Sequence, residues 1–459
     1  MKDAYDIAIV GAGPAGLAAA SVCARAGLST VLLDENPRIG GQIYRAVTAT
    51  PVANRAILGE DYWAGVALAA EAEASGAEIV TGATVWSLDA SLELGVSVAG
   101  KARMIRARRV IVATGALERP FPIPGWTLPG VMTVGAAQTA LKAHGLVPEG
   151  SVMLAGSGPL LWLLAAQIAR TGRKLQAVLD VTPRANRLRA APHLVDFLLS
   201  PYWRKGLALV REVKARTPVI RVDRLEARGD GRLREIAFDG TSLPLDVLLL
   251  HQGVVPNVNL AMAAGVAHRW NERQLCFEPV LDGDFASSVP GIAVAGDGAG
   301  IAGGTAAAER GRIAAIAAVR ALRPDANLPD PHEARRRLRH EERGRAFLDE
   351  LYRPAVRYRQ PMGDTLVCRC EEVTARQVRE AARLGCEGPN QMKAFLRTGM
   401  GPCQGRMCGL TVTELIGAER GIVPEQVGYF RLRPPVKPIT LGELASLPIG
   451  EAERRAVER

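Results

Sequence analysis

Residues 1–325 contain no Cys-x-x-Cys or Cys-x4-Cys pair, and the cysteines found there are Cys23 and Cys276. That absence removes the adjacent dithiol that disulfide reduction requires, and leaves Cys23 the role of a small buried thiol. The chain also lacks an apolar run that reads as a membrane span. Ile7–Ala24 is broken by Gly11-Ala12-Gly13-Pro14, and Val152–Ala169 by Gly156-Ser157-Gly158-Pro159. Asp3 and Asp6 ahead of the first run argue against a secretory signal. Nor is positive charge concentrated: 57 Lys+Arg stand against 47 Asp+Glu, and the densest cluster, 333–345, interleaves Glu with Arg as a solvated helix does. No nucleic-acid partner is expected. In the cytoplasmic setting this implies, seven cysteines are expected as thiols or metal ligands rather than disulfides.

What is present begins with a repeat. A β-branched strand, a glycine turn, an alanine- and leucine-rich helix and a second strand ending in an acid occur at Ile7–Glu35 and again at Val152–Asp180. Strand alternating with helix at this spacing means a parallel sheet covered on both faces, and two copies in 459 residues of 48% hydrophobic content mean two such domains. The proline-rich Glu118–Gly130 reads as the crossing between them.

In Gly11-x-Gly13-x-x-Gly16, with Pro14 and Ala15 at the helix start, the first glycine makes the tight turn. The second admits a pyrophosphate and the third lets helix pack on strand. The helix N-terminus then faces phosphate with unpaired N–H groups. Three further stretches follow in order: "RIGGQIYR" at 38–45, "VIVATGALERP" at 110–120 and "GIAVAGDGAG" at 291–300. Together they resemble the two-dinucleotide-binding flavoproteins of the thioredoxin and glutathione reductase superfamily over residues 5–325. The resemblance implies FAD, with Glu35 on the adenosine ribose, Gly41 and Gln42 along phosphates and flavin, Thr114-Gly115 after an apolar strand, and Asp297 on the ribityl chain.

The second turn departs from the pattern. Leu161 stands where the third glycine or alanine belongs, so looser helix–strand packing and poor NAD(P) binding are expected, although Asp180 is spaced from Gly156 as Glu35 is from Gly11. His251, in "LLLHQGVVPNVNL", is the one candidate catalytic side chain. It either faces a flavin or substrate, or is a hydrogen-bonded histidine at a strand end.

Cys368 and Cys370, then Cys403 and Cys408, form Cys-x-Cys and Cys-x4-Cys around two expected helices, Thr374–Leu384 and Pro389–Leu396, with a third helix expected to begin near Cys403. Four thiolates on loops and helix starts suit zinc or an iron–sulfur cluster. The stretch resembles bacterioferritin-associated ferredoxin, whose [2Fe-2S] cluster is held by cysteines, although its last pair is usually closer than Cys403 and Cys408. Cys386 lies outside the spacing and reads as packing.

Over nearly its whole length the chain resembles the larger flavin subunit of bacterial multi-subunit amino-acid dehydrogenases: opine oxidase, D-hydroxyproline dehydrogenase, hydrogen cyanide synthase and heterotetrameric sarcosine oxidase. The resemblance implies an α/β fold of two Rossmann-like domains plus a small helical [2Fe-2S] domain. Its expected parts are an FAD domain at 1–118 and 286–325, a second dinucleotide domain at 119–285, a helical linker at 326–362, a cluster domain at 363–420 and an arm at 421–459. It further implies a D-amino acid oxidase-like partner that oxidises a C–N bond, an FMN shared with that partner, a small ferredoxin-like subunit, a downstream electron acceptor, and membrane association only through an electron-transfer partner. A stand-alone NAD(P)H-dependent ferredoxin-type reductase and a zinc-closed non-enzymatic scaffold remain as rivals.

Overall fold

The computed structural model describes residues 1–448, 450, 455 and 456. Strand Ala4–Val10 lies at the centre of the first sheet, parallel to Thr30–Asp34 on one side and to Lys101–Val112 on the other. Its alternate residues enter two different cores, Ile7 and Ile9 on one face and Ala8 and Val10 on the other, which is why the strand is apolar from Ile7 to Val10. Glu78–Thr81 extends one edge. The long strand Lys101–Val112 changes partner midway: its first half pairs antiparallel with Glu93–Val98, and its second half runs parallel to Ile292–Val294.

Helix Pro14–Arg25 packs against Gly304–Leu322. Alanines allow this close approach, and at its tightest point a Cβ on Gly311 would lie 2.1 Å from the Ala15 carbonyl oxygen. The second sheet is wholly parallel, in the order Val219–Arg221, Ala177–Asp180, Val152–Ser157, Val247–Gln252, Val131–Thr133. The chain leaves the first domain through Ala116–Glu118 and returns through Val254–Pro256, two short strands that pair antiparallel.

Helices Pro331–Glu342, Arg345–Leu351 and Val356–Arg359 follow, where a helical linker was expected. The small domain contains Ala375–Arg383, Pro389–Leu396 and Gly409–Arg420. Thr374 caps the first of these through a full capping box with Gln377. The third starts at Gly409, not near Cys403: residues 401–408 form turns, because Gln404 and Gly405 both take positive φ, and Cys408 is the N-cap. Val427, Phe430 and Leu432 join the core of this domain. Contacts that fix it to the rest include Trp126 Nε1, which donates to Leu366 O at 2.8 Å, and the ion pair of half-buried Arg359 with buried Glu414. Among the described residues no helix is long and apolar enough to cross a membrane.

Candidate redox site

The first glycine turn has the shape its sequence implies. Gly11 has φ +107°, and a Cβ there would lie 2.4 Å from Ala113 O. A Cβ on Gly16 would strike Gly11 O at 1.8 Å. Gly13 is different, since its Cβ would meet only Gly41 Cα at 3.8 Å, which leaves room above Pro14 and Ala15 for a phosphate. Gly41, at φ +61°, backs directly onto Gly13.

Two neighbouring acids divide the work at the end of Thr30–Asp34. Buried Asp34 accepts from Ala12 N at 2.6 Å and from Asn36 N at 2.8 Å, which holds the turn. Exposed Glu35 lies at the surface and is salt-bridged to Lys437 at 2.8 Å. Arg45 is buried, and its Nε has no partner within the protein. Burial lowers its pKa, opposed by Asp34 and Glu35 nearby. An orphaned guanidinium nitrogen beside an open glycine turn fits an anionic group such as the FAD pyrophosphate.

Lys142, on helix Val134–His144 of the second domain, reaches back to the same loop. Its Nζ donates to Gln42 O at 3.2 Å, Ile43 O at 2.9 Å and Gln138 Oε1 at 2.8 Å. Burial draws its pKa down to about 7, with Arg45 acting in the same direction. The side chain of Gln42 meets Thr139 at 3.2 Å. Asp297 Oδ1 accepts from Ala302 N at 2.9 Å and Gly303 N at 3.0 Å at the start of the Gly304–Leu322 helix. Gly115, at φ +67°, has open space where a Cβ would be. These residues come together around one cradle, and they fit FAD.

The four cysteines also converge, as two pairs. Cys368 hydrogen-bonds with Cys408, and Cys370 with Cys403. The bond from Cys408, with backbone N–H groups of Gly399, Glu371 and Cys370, lowers the Cys368 thiol to about 6 against the effect of burial. Cys408 is pushed up by Cys368 and by burial. Cys370 is also raised, chiefly by burial. Gly401 permits the tight loop, since a Cβ there would lie 2.3 Å from that of Cys370. Thr398, fully buried, carries a hydroxyl without a partner. Among the described residues no three His, Cys, Asp or Glu side chains gather around one point as a single ion requires. Four thiols in two pairs, with N–H donors to sulfur, fit a soft-metal centre, an iron–sulfur cluster or zinc. None of the seven cysteines is in a disulfide, and Cys23, Cys276 and Cys386 are buried.

The cysteine loop touches the flavin domain. Asn257 N donates to Gly115 O at 2.9 Å, and two residues on, buried Asn259 donates from Nδ2 to Gln404 O at 3.0 Å. Arg406 Nη1 donates to Val436 O at 2.9 Å, just before Lys437.

In the second domain Gly156 and Gly158 press on His251: a Cβ would lie 1.7 Å from its carbonyl oxygen and 3.1 Å from its Nε2, respectively. His251 itself is 1% exposed, with Nδ1 2.5 Å from Glu118 Oε1. Its geometry is that of the hydrogen-bonded strand-end alternative. Leu161 is fully buried in the core, so no gap opens at that position. Asp180 accepts from Thr182 N at 3.0 Å and lies 3.8 Å from Arg221.

Asp34, Arg45, Lys142, Asn259 and Lys437 escaped sequence reading. Asp34 and Arg45 adjoin recognised motifs, but nothing local marks Lys142, Asn259 or Lys437, which act across distant parts of the chain.

The fold and the glycine cradle define a dinucleotide-binding oxidoreductase. Residues 5–319 match the pyridine nucleotide-disulphide oxidoreductase family and residues 362–447 the sarcosine oxidase A3 domain. Among solved structures, L-proline dehydrogenase from P. horikoshii matches with TM-score 0.75 and 20% identity, covering 96% of this chain and 79% of that one. Thioredoxin reductase from T. acidophilum matches with TM-score 0.50 and 22% identity over 69% and 98%. The opine oxidase A-subunit of Rhizobium meliloti is 47% identical, over 98% of this chain and 88% of that protein. Subunit HcnB of hydrogen cyanide synthase from Pseudomonas aeruginosa is 31% identical over 96% and 98%. The chain belongs to the opine oxidase A-subunit family, and it is a flavin-dependent oxidoreductase.

Proposed function

We propose that this chain is the electron-transfer subunit of a hetero-oligomeric dehydrogenase that oxidises the C–N bond of an opine or a related D-amino or imino acid. The observation that carries the reading is the link from Gly115 through Asn257 and Asn259 to Gln404, which puts the cysteine loop against the flavin cradle. FAD, when bound, supplies two-electron acceptor chemistry and a [2Fe-2S] cluster a one-electron outlet. Toward FAD, the turn at Gly11–Gly16 and Arg45 bind phosphate, Glu35 holds the ribose, and Asp297 and Gly41-Gln42 line the remainder. Toward the cluster, Cys368, Cys370, Cys403 and Cys408 are the ligands.

Substrate oxidation is assigned to a D-amino acid oxidase-like partner, with an FMN held between the two chains and a small ferredoxin-like subunit completing the complex. The cradle offers no adjacent thiol pair, and His251 is sealed against Glu118, so reducing equivalents arrive from another chain. The test compares octopine, nopaline, D-hydroxyproline, sarcosine and glycine with a dye acceptor, using this chain alone and then with its co-expressed genomic neighbours. Turnover is expected only in the complex. Robust turnover by the isolated chain overturns the reading.

A further inference from the structure

Helices Asn186–Ala190, Leu194–Leu198 and Tyr202–Arg216 form a compact outcrop of the second domain, and its two sides differ. The inner side is fixed to the linker. Asn186 Nδ2 donates to Leu351 O at 3.1 Å and Arg353 O at 2.8 Å, Phe197 and Phe347 stack at 4.3 Å, and Tyr202 OH meets Glu341 at 3.2 Å. The outer side bears Leu188 at 80% exposure, Val195 at 70%, Leu199 at 58%, and exposed Leu194, Leu198 and Leu207. Single exposed leucines are ordinary; six within twenty consecutive residues, on a rigid support, mark an interaction face.

The charge around this face is mainly basic. Residues 184–212 contain Arg184, Arg187, Arg189, Arg204, Lys205 and Arg211 against Asp196 and Glu212, with Lys205 paired to Asp61 at 2.7 Å and Glu212 to Arg170 at 2.6 Å. An apolar centre inside a basic rim fits a protein face with the complementary pattern, an apolar centre ringed by carboxylates. A bilayer is the poorer match, because lipid-inserting faces run along one continuous amphipathic helix. Here the apolar side chains are divided among short helices and the turn between them, held at fixed angles by Asn186, Phe197 and Tyr202.

We propose that this outcrop is the docking surface for the substrate-oxidising flavin subunit, whose contacting face is apolar with an acidic rim. The proposal rests on the reading of this chain as one subunit of a complex.

The experiment co-expresses the full chain with the neighbouring flavin-subunit gene and measures co-elution of the two chains. The wild type is compared with Val195→Asp/Leu199→Asp, with the milder Leu199→Ser, and with Arg187→Glu/Arg189→Glu. The first variant should reduce recovered complex at least tenfold, Leu199→Ser less, and the charge reversal should slow association and remove its salt dependence. Flavin content, iron content and Tm of the isolated variant chains should match wild type. Assembly unchanged in all variants overturns the surface while leaving the subunit reading intact. A wild-type chain that co-elutes with no flavin subunit fails the subunit reading itself, and the surface falls with it. Binding of the wild type but not the variants to phosphatidylglycerol vesicles, with assembly unaffected, assigns the face to lipid and overturns the proposal.

Discussion

Lys437 holds its ammonium 2.8 Å from one oxygen of Glu35 and 3.1 Å from the other, across 402 residues of chain. The arm that carries Lys437 is itself tied at Val436, to the carbonyl of Trp86 and to Arg406 of the cysteine loop. Glu35 is thereby linked to the cysteine domain. The two residues should nonetheless differ in weight. A charged group hydrogen-bonded to a ribose contributes about 1.5–3 kcal/mol, so Glu35→Ala should weaken FAD about 10- to 100-fold. Lys437→Met removes a partly exposed ion pair worth at most about 1 kcal/mol and should change affinity less than about fivefold. Fluorescence titration of the apoprotein with FAD reads both, and equal losses would contradict the division.

Replacing Cys403 with Ser should lower iron and acid-labile sulfide while flavin stays bound. The four sulfurs lie in two hydrogen-bonded pairs, and in the proposed cluster the loss of one ligand would leave an iron position open to solvent. Metal analysis after anaerobic purification checks this. Stoichiometric zinc without iron in the wild-type protein would favour the scaffold alternative.

Local residue patterns carried the first turn, both acid-ended strands, the helix that begins at Thr374 and the four-cysteine spacing, because each is written in the spacing of residue types along a short stretch of chain. The starting point of the third small-domain helix was not legible: two residues with positive φ, Gln404 and Gly405, delay it to Gly409, and only Gly405 advertises that in sequence. Lys142 was invisible for another reason. On its helix it reads as a surface lysine, and only the packing of the second domain onto Gln42 and Ile43 buries it. The same holds for Arg359 and Glu414, whose pairing depends on how the linker meets the cysteine domain.

NADH or NADPH should leave the flavin oxidised for seconds in stopped-flow mixing. The turn at Gly156–Gly158 rests directly on His251, Leu161 fills the core beneath it, and Asp180 is already engaged by Thr182 and Arg221. Fast reduction by either nucleotide would promote the stand-alone reductase alternative.

Arg359 and Glu414 form an ion pair buried at the junction of linker and cysteine domain, and burial draws the Arg359 pKa down to about 10. Arg359→Met strands the Glu414 carboxylate and should cost about 3–5 kcal/mol. Arg359→Met with Glu414→Leu removes both charges and should recover most of that loss. Urea midpoints of the three proteins decide it, and a double variant no better than the single one would rule out the stranded charge as the cause.

His268 gives the protein a specific acid sensitivity. Its Nδ1 lies 2.8 Å from Val266 O, while Nε2 is sealed from solvent with no partner. Burial holds its pKa down at about 4, against a partial upward pull from Val266. The ring is therefore neutral in the folded protein wherever the unfolded chain, with a pKa of about 6.5, has begun to take up a proton. Because the folded pKa is the lower one, stability is complete above pH 6.5 and is lost as pH falls toward 4. The slope follows from the extra proton bound by the unfolded state, and between pH 7.5 and pH 5 it amounts to at most about 2 kcal/mol. His268→Gln keeps a polar side chain but cannot titrate, so it should remove that part of the pH dependence. Urea unfolding of both proteins at pH 7.5 and pH 5 measures it: the wild type should lose more than the variant on acidification, and identical losses would show that His268 is not the titrating group.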